Sequence, residues 1–452
     1  MYPEGKLQMV LILYAISIFN RLLPWLIFTK YILTFGVYLN SISPMEETHA
    51  LKKFSKYQVL LVIILAMTQF SVVLDFMVMS PLGDLLIKDL KINPAQFGLI
   101  VSSYALSAGI SGFLTASFAD KFDRKKLLLF FYAGFIIGTF FCAIANTYWL
   151  LVGARIVTGV FGGVISSISM AIVADTFSIE LRGRVMGFLQ MGFGISQVVG
   201  IPISLFIANK WDWQAPFYLI VFIASSILFT ALWAMKPVNQ HLKLQRENPL
   251  KHMLSTIQNK NYRIGYLATA FMSLGGYLMM PWGSAFSVNN VGISQSELPL
   301  LFMVVGIATL IIMPISGNLS DRFSKFNVFL TASIVMVIAV LIYTNLGKVS
   351  LLTLIIVNVM MMAGVMARMV PSQALATSIP EMKDRGAFMS INSSLQQFAG
   401  GIAAMVGGFI VVQKDQFSPL EKFDFLGLVV ICVIIINIFL TYRVHRFIKM
   451  RG

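Results

Sequence analysis

The chain has 452 residues, 58% of them hydrophobic and 12% charged, with a formal net charge of +15. Soluble domains average about 25% charged and about 45–50% apolar residues. This composition excludes a water-soluble domain, and the charge reads as Lys and Arg collected in cytoplasmic loops rather than as a nucleic-acid footprint.

In chain order, residues 1–44 come first, with apolar runs interrupted by Arg21 and Lys30 and no small-residue cleavage site of the signal-peptide kind. They are expected to be a doubtful or dispensable extension, with Met45 in "MEETHALKKFSKYQ" as a natural cytoplasmic start. Apolar runs of about 20 residues then follow, each long enough to cross a hydrocarbon core of about 30 Å as a helix. They predict helices near 58–80, 95–119, 126–146, 149–175, 183–208 and 213–236. A polar linker follows at 237–262, and further helices near 264–286, 297–319, 326–345, 349–376, 385–412 and 424–445.

Lys and Arg cluster before the first helix, after the second and fourth, in the linker and at the end of the chain, while "NTYW" and "SVNNVGISQSE" carry none. The positive-inside rule then puts both ends of the twelve-helix unit in the cytoplasm of a multi-pass inner-membrane protein. "VMSPLGDLL" at Val78 parallels "MMPWGSAF" at Met279, aligning Pro81 with Pro281 and Gly83 with Gly283. Asp120 aligns with Asp321, and Arg182-Gly183 with Arg385-Gly386, always near an offset of two hundred. The expected fold is an all-α membrane protein of twelve transmembrane helices in two pseudo-symmetric six-helix bundles, residues 45–236 and 263–452. Such a duplication suggests a transporter with its substrate site near the midplane. Cys142 and Cys432 lie inside apolar runs, so neither a disulfide framework nor a metal site is supported.

Asp75 lies deep in the first predicted helix, where a carboxylate is expensive and faces a cavity or a partner. It is a candidate proton-coupling group, or one half of a structural pair with Arg155 or Arg368, or a neutral hydrogen-bonded acid, or a substrate contact. Arg368, in "GVMARMVPSQAL", has no charged match in the first half at the repeat register. It either faces the cavity and favours an anionic or polar substrate group, or pairs with Asp75 across the halves. Gly159 and Gly163 make a small-residue face for close helix packing, and Gly200 and Pro202 should bend the fifth helix.

"ASFADKFDRKK", from Ala116 to Lys126, resembles the loop signature G-x-L-x-D-R/K-x-G-R-K/R of the major facilitator superfamily, and "GNLSDRFSKF" at Gly317 is a degenerate second copy. "RIVTGVFGG" at Arg155 resembles the fourth-helix signature, and "QVVGIPISLFIANKWDWQAPF" at Gln197 the fifth-helix signature of the efflux branch, as in bacterial drug and arabinose efflux permeases. The match departs at Ala116 and Asp123, which stand where the signature has Gly, and "GIPIS" lacks the usual paired glycines.

The resemblance implies a cytoplasmic gate in which Asp120 sits against the start of helix eleven and Arg124 pairs with Asp175. Asp321 and Arg322 hold the equivalent places in the second copy. It implies that Arg155 helps couple proton and substrate binding; a structural hydrogen-bonding role is the alternative. Gln69, Gln190, Gln197, Asn358, Arg368, Asn392 and Gln396 fall on helices that line the cavity of this fold. The expected activity is proton-coupled efflux of a small organic molecule by alternating access. Uptake symport of a sugar or other metabolite is the alternative, and a non-transporting receptor or enzyme a distant one. The expected partners are substrate, protons and lipid, with no cofactor, metal or nucleic acid, in a monomer.

Overall fold

The computed structural model describes residues 54–115, 118–239, 242, 249–382 and 384–451. The expectation for residues 1–44 lies outside them.

The first half holds α1 (Lys56–Val78), a short α2 (Gly83–Asp89), α3 (Pro94–Thr115), α4 (Arg124–Ala143) and α5 (Tyr148–Thr176). One continuous pass follows, α6 (Ile179–Ile195) running through a π turn into α7 (Ile201–Lys210), and then α8 (Ala215–Ala234). The linker carries α9 (Pro249–Gln258). The second half holds α10 (Lys260–Tyr277), a short α11 (Gly283–Phe286), α12 (Leu298–Arg322), α13 (Lys325–Thr344), α14 (Leu351–Thr377), α15 (Arg385–Ile410) and α16 (Phe423–Arg451). Taking α6 with α7, and α10 with α11, gives twelve passes among the described residues.

Local chemistry sets several of the ends. Ser55 and Gln58 close a capping box that starts α1, and Thr147 caps α5. Asp123, odd in the loop signature, is the N-cap of α4: its carboxylate accepts from the backbone of Lys125 at 2.8 Å and Lys126 at 3.2 Å. Among the described residues the second helix covers Pro94–Thr115, and Ala119–Lys121, at the expected end near 119, forms a single 3-10 turn. The linker is not wholly extended, because α9 docks against the foot of the second half with Met253 and Thr256 buried.

Ten of the passes are long and apolar enough to cross a membrane by composition alone. The exceptions among the twelve are the α10–α11 pass and α15. Both are rich in Gly and polar residues, and both lie where the halves meet: α15 packs along α3 for most of its length, and α11 meets α2.

Close packing rests on small residues. A Cβ on Gly159 would stand 2.1 Å from Ser107 Oγ and 2.4 Å from the Tyr104 carbonyl oxygen, so α5 and α3 touch backbone to backbone. Gly200 and Pro202 do not break the fifth pass. Ser196–Gly200 forms a single π turn, and the Ile201 amide bonds the Ser196 carbonyl. A wide turn of this kind accommodates the missing Pro donor inside a continuous helix. It also presses Gly200 onto Leu74 of α1. On the other side, Gly306 of α12 lies against Gln197, where a Cβ would sit 2.9 Å from the Gln197 carbonyl oxygen.

Candidate functional site

Asp75 sits one turn before the end of α1 and is fully buried. Arg155, on the second turn of α5, is 1% exposed and places Nη1 2.8 Å from Asp75 Oδ2. Thr139 of α4 donates to Asp75 Oδ1 at 3.2 Å. Three helices therefore converge on one carboxylate, and the cation is Arg155 rather than Arg368. A buried pair survives only with good geometry and further hydrogen bonds; here Thr139 supplies one, and Arg155 Nε has no partner.

The pair is also roofed by aromatic rings. The Arg155 guanidinium carbon lies 4.5 Å from the Tyr104 ring centroid, an arrangement that stabilises the cation. Tyr104 packs on Phe76 at 5.1 Å, and Phe76 meets Tyr277 of the second half at 5.9 Å. Tyr277 in turn lies against Gly400 of α15. A continuous stack thus runs from the ion pair to the opposite half.

Arg368 has different surroundings from either expectation. It is 1% exposed within the second half, donating to Asn437 Oδ1 at 3.1 Å and to the Met336 sulfur at 3.0 Å, with the Phe329 ring 5.3 Å from its carbon. Asn437 is anchored by its own bond to the Ala268 carbonyl at 2.7 Å. The arginine thus bridges α14 to α13 and α16, and acts as packing inside that half rather than as a surface of the space between halves.

The expected cavity amides divide. Gln69 accepts from Ser166 Oγ at 2.7 Å, tying α1 to α5. Asn358 spends its amide on the Leu354 carbonyl of its own helix at 2.9 Å. Gln197 is 5% exposed at the α12 contact, with Oε1 unpartnered, and Asn392 Oδ1 is also buried without a partner. Gln190 and Gln396 are exposed. Gln190 lies two turns from Gln197 on the same face of the pass, and the contact of α12 is chiefly with the π turn and α7 rather than α6. The halves are therefore packed at Gln197 and part toward Gln190.

At the end of the bundle holding residues 118–123, Arg124 is 4% exposed, and its Nε lies 3.3 Å from Asp175 Oδ2 at the foot of α5. Its backbone N–H bonds the Val238 carbonyl at 3.0 Å. Lys125 reaches the last carbonyls of α8, Leu232 at 2.9 Å and Met235 at 2.6 Å, and Arg182 bonds the Ala174 and Phe177 carbonyls ending α5. Cations at helix C-termini are favoured by the dipole. The side chain of Asp120 lies outside the described residues. Asp321 and Arg322 are both exposed, and among the described residues no ion pair joins them to a partner.

Three participants carried no distinctive signal in the sequence. Thr139 and Tyr104 are single polar groups in apolar helices, and only the packing of α3, α4 and α5 on α1 brings them to Asp75. Asp84, inside the repeated "PLGDLL" phrase, is fully buried at the opposite end of the bundle.

The chain matches a family model described as Major Facilitator Superfamily over residues 65–279 and 265–449. It is 25% identical over 382 residues to the uncharacterized MFS-type transporter YbcL of Bacillus subtilis, covering 83% of this chain and 95% of that protein. It is 22% identical over 259 residues to a probable sugar efflux transporter of Helicobacter pylori, covering 57% of this chain and 65% of that one. Among solved structures it shares its fold with the D-xylose-proton symporter, at a TM-score of 0.69 and 16% identity, over 84% of this chain and 97% of the other.

Proposed function

This chain belongs to the Major Facilitator Superfamily, and from that premise we propose that it moves a small organic molecule across the cytoplasmic membrane by proton-coupled alternating access, in the efflux direction. The observation that carries the reading is the buried Asp75–Arg155 pair beside the seam between halves. Protonating Asp75 removes the charge that holds Arg155 and leaves a lone cation in a dry site. The unprotonated pair is neutral as a whole. Proton loading therefore changes the local charge by one unit next to the Tyr104–Phe76–Tyr277 stack, the contact that must shift when the halves rock.

The basic loops place the Arg124 end in the cytoplasm, so the Asp84 end faces outward and the parting near Gln190 opens inward. Gln197 and Asn392, with unpartnered buried oxygens, and the exposed Gln190 and Gln396 are the hydrogen-bonding groups offered to substrate. Arg124 with Asp175 forms part of the inner gate. The transporter works as a monomer. A relative named as a probable sugar efflux transporter supports polar, neutral substrates as the first compounds to test.

The experiment is flux in proteoliposomes under an imposed pH gradient, screened across sugars and small amphiphiles, with Asp75→Asn as the control. Antiport predicts substrate accumulation on the proton-rich side. Accumulation on the proton-poor side would replace efflux with uptake symport, and flux indifferent to the gradient would remove proton coupling altogether.

A further inference from the structure

We propose that Asp84 is the hub of an outer latch that joins the two halves and sets how readily the transporter opens to the outside; this rests on the alternating-access reading above. Asp84 begins α2 and is fully buried. Lys88 of the same helix lies 2.7 Å from its Oδ2. The other two side-chain donors come from the opposite half: Asn289 Nδ2 reaches Oδ1 at 2.6 Å, and Gln295 Nε2 also donates to the carboxylate. The Asp84 amide points at Ser284 Oγ at 3.4 Å. A buried carboxylate is tolerable only while such donors satisfy it. Separating the halves at this end removes Asn289 and Gln295 together, so opening must wait until water replaces both.

The surrounding contacts mark this as a seam built to close. Ser80 donates to the Met280 carbonyl, Ser284 returns a bond to the Ser80 carbonyl at 2.9 Å, and Asn209 bonds the Gln295 carbonyl at 2.9 Å. A Cβ on Gly83 would lie 3.2 Å from the Pro281 carbonyl oxygen, so the backbones meet there. Lys88 additionally stands 5.4 Å from the ring of Phe417, on the connection between α15 and α16.

Ser80 and Met280, like Asp84 and Ser284, are two hundred positions apart. Each therefore touches its own repeat mate, which places this contact close to the axis relating the halves. On that axis an acid in both copies would set two like charges face to face. The chain keeps an acid in one copy and Ser284 in the other, so the meeting point holds one carboxylate ringed by donors.

The test is the distance between spin labels at Asn146→Cys and Lys348→Cys, two exposed positions at this end on opposite halves, in a Cys142→Ser, Cys432→Ser background. Asp84→Ala, and separately the double variant Asn289→Ala with Gln295→Ala, should each raise the long-separation population about threefold or more, the scale of a small shift in a two-state equilibrium. Lys88→Met should leave the distribution near the parent's. The double variant leaves the buried acid in place, so the test stands even where Asp84→Ala fails to fold. Silence of the double variant, or its silence together with a Lys88→Met effect, reduces Asp84 to a local helix pair and overturns the latch. A parent protein with one separation at every pH and with every substrate would overturn the alternating-access reading itself, and the latch with it.

Discussion

The guanidinium of Arg155 is held between two groups of the first half, the Asp75 carboxylate at 2.8 Å and the Tyr104 ring face at 4.5 Å. The carboxylate neutralises the cation and the ring covers its remaining apolar-facing side. Through Phe76 the same ring reaches Tyr277 across the seam. A stack of rings therefore connects the pair to an interface between halves, although the pair itself lies wholly within one of them.

Asp75→Asn keeps the shape and the Thr139 contact but removes the titratable group. Flux driven by a pH gradient should fall at least ~10-fold, the loss expected when a positioned proton-transfer group is removed. Substrate binding, read by thermal shift at fixed pH, should persist. Wild-type gradient-driven flux in this variant would sink the assignment.

Arg155→Met leaves the carboxylate buried without its cation, and breaking a buried pair in this way costs about 3–5 kcal/mol. Adding Asp75→Leu should recover much of that loss, because both charges then go together. The check is a double-mutant cycle of unfolding free energies in detergent. A double variant whose destabilisation equals the sum of those of Arg155→Met and Asp75→Leu would mean that the pair has no energetic coupling.

Gly159→Leu would drive a side chain into Ser107 and the backbone of Tyr104. Overpacking of this kind costs typically about 1–3 kcal/mol, and the movement of α3 would also displace the Tyr104 ring from Arg155. Gly153, whose added Cβ meets nothing within 4 Å, is the control on the same helix. Gly153→Ala should leave the melting temperature unchanged or raised, while Gly159→Leu lowers it.

Arg124→Asp should slow transport by disturbing the Asp175 pair at the inner end. The exchanged variant Arg124→Asp with Asp175→Arg should recover part of the rate if attraction between the two positions is what matters. Flux of the three proteins, normalised to the amount reconstituted, decides it; no recovery in the exchanged variant assigns Arg124 to its other contacts instead.

Much of the architecture was readable without coordinates. Each apolar run stands alone as a spanning element, because in lipid a helix satisfies its own backbone, and the offset of two hundred exposed the duplication. Asp75 and Arg155 stood out because an ionised group inside an apolar run needs a partner. The fate of Arg368 was not readable. Its partners Met336 and Asn437 are an ordinary core residue and one amide among several, distant in the chain. The role of Asp123 was not readable either: against the signature it is only a departure from Gly, whereas the backbone amides of Lys125 and Lys126 make it a helix cap.

By itself the sequence determined the membrane class, the count and order of the passes, the repeat and the carboxylate worth testing, since these follow from local hydrophobicity, loop charge and the cost of burying an ion. Tertiary structure alone decided which cation Asp75 takes, that Arg368 is internal to its half, and that Asp84 meets donors from the other half. Those outcomes depend on which faces of separate helices come together. Hydropathy within one helix does not encode that choice; small residues such as Gly159 and Gly306 and the π turn at Ser196–Gly200 fix it by letting particular backbones approach.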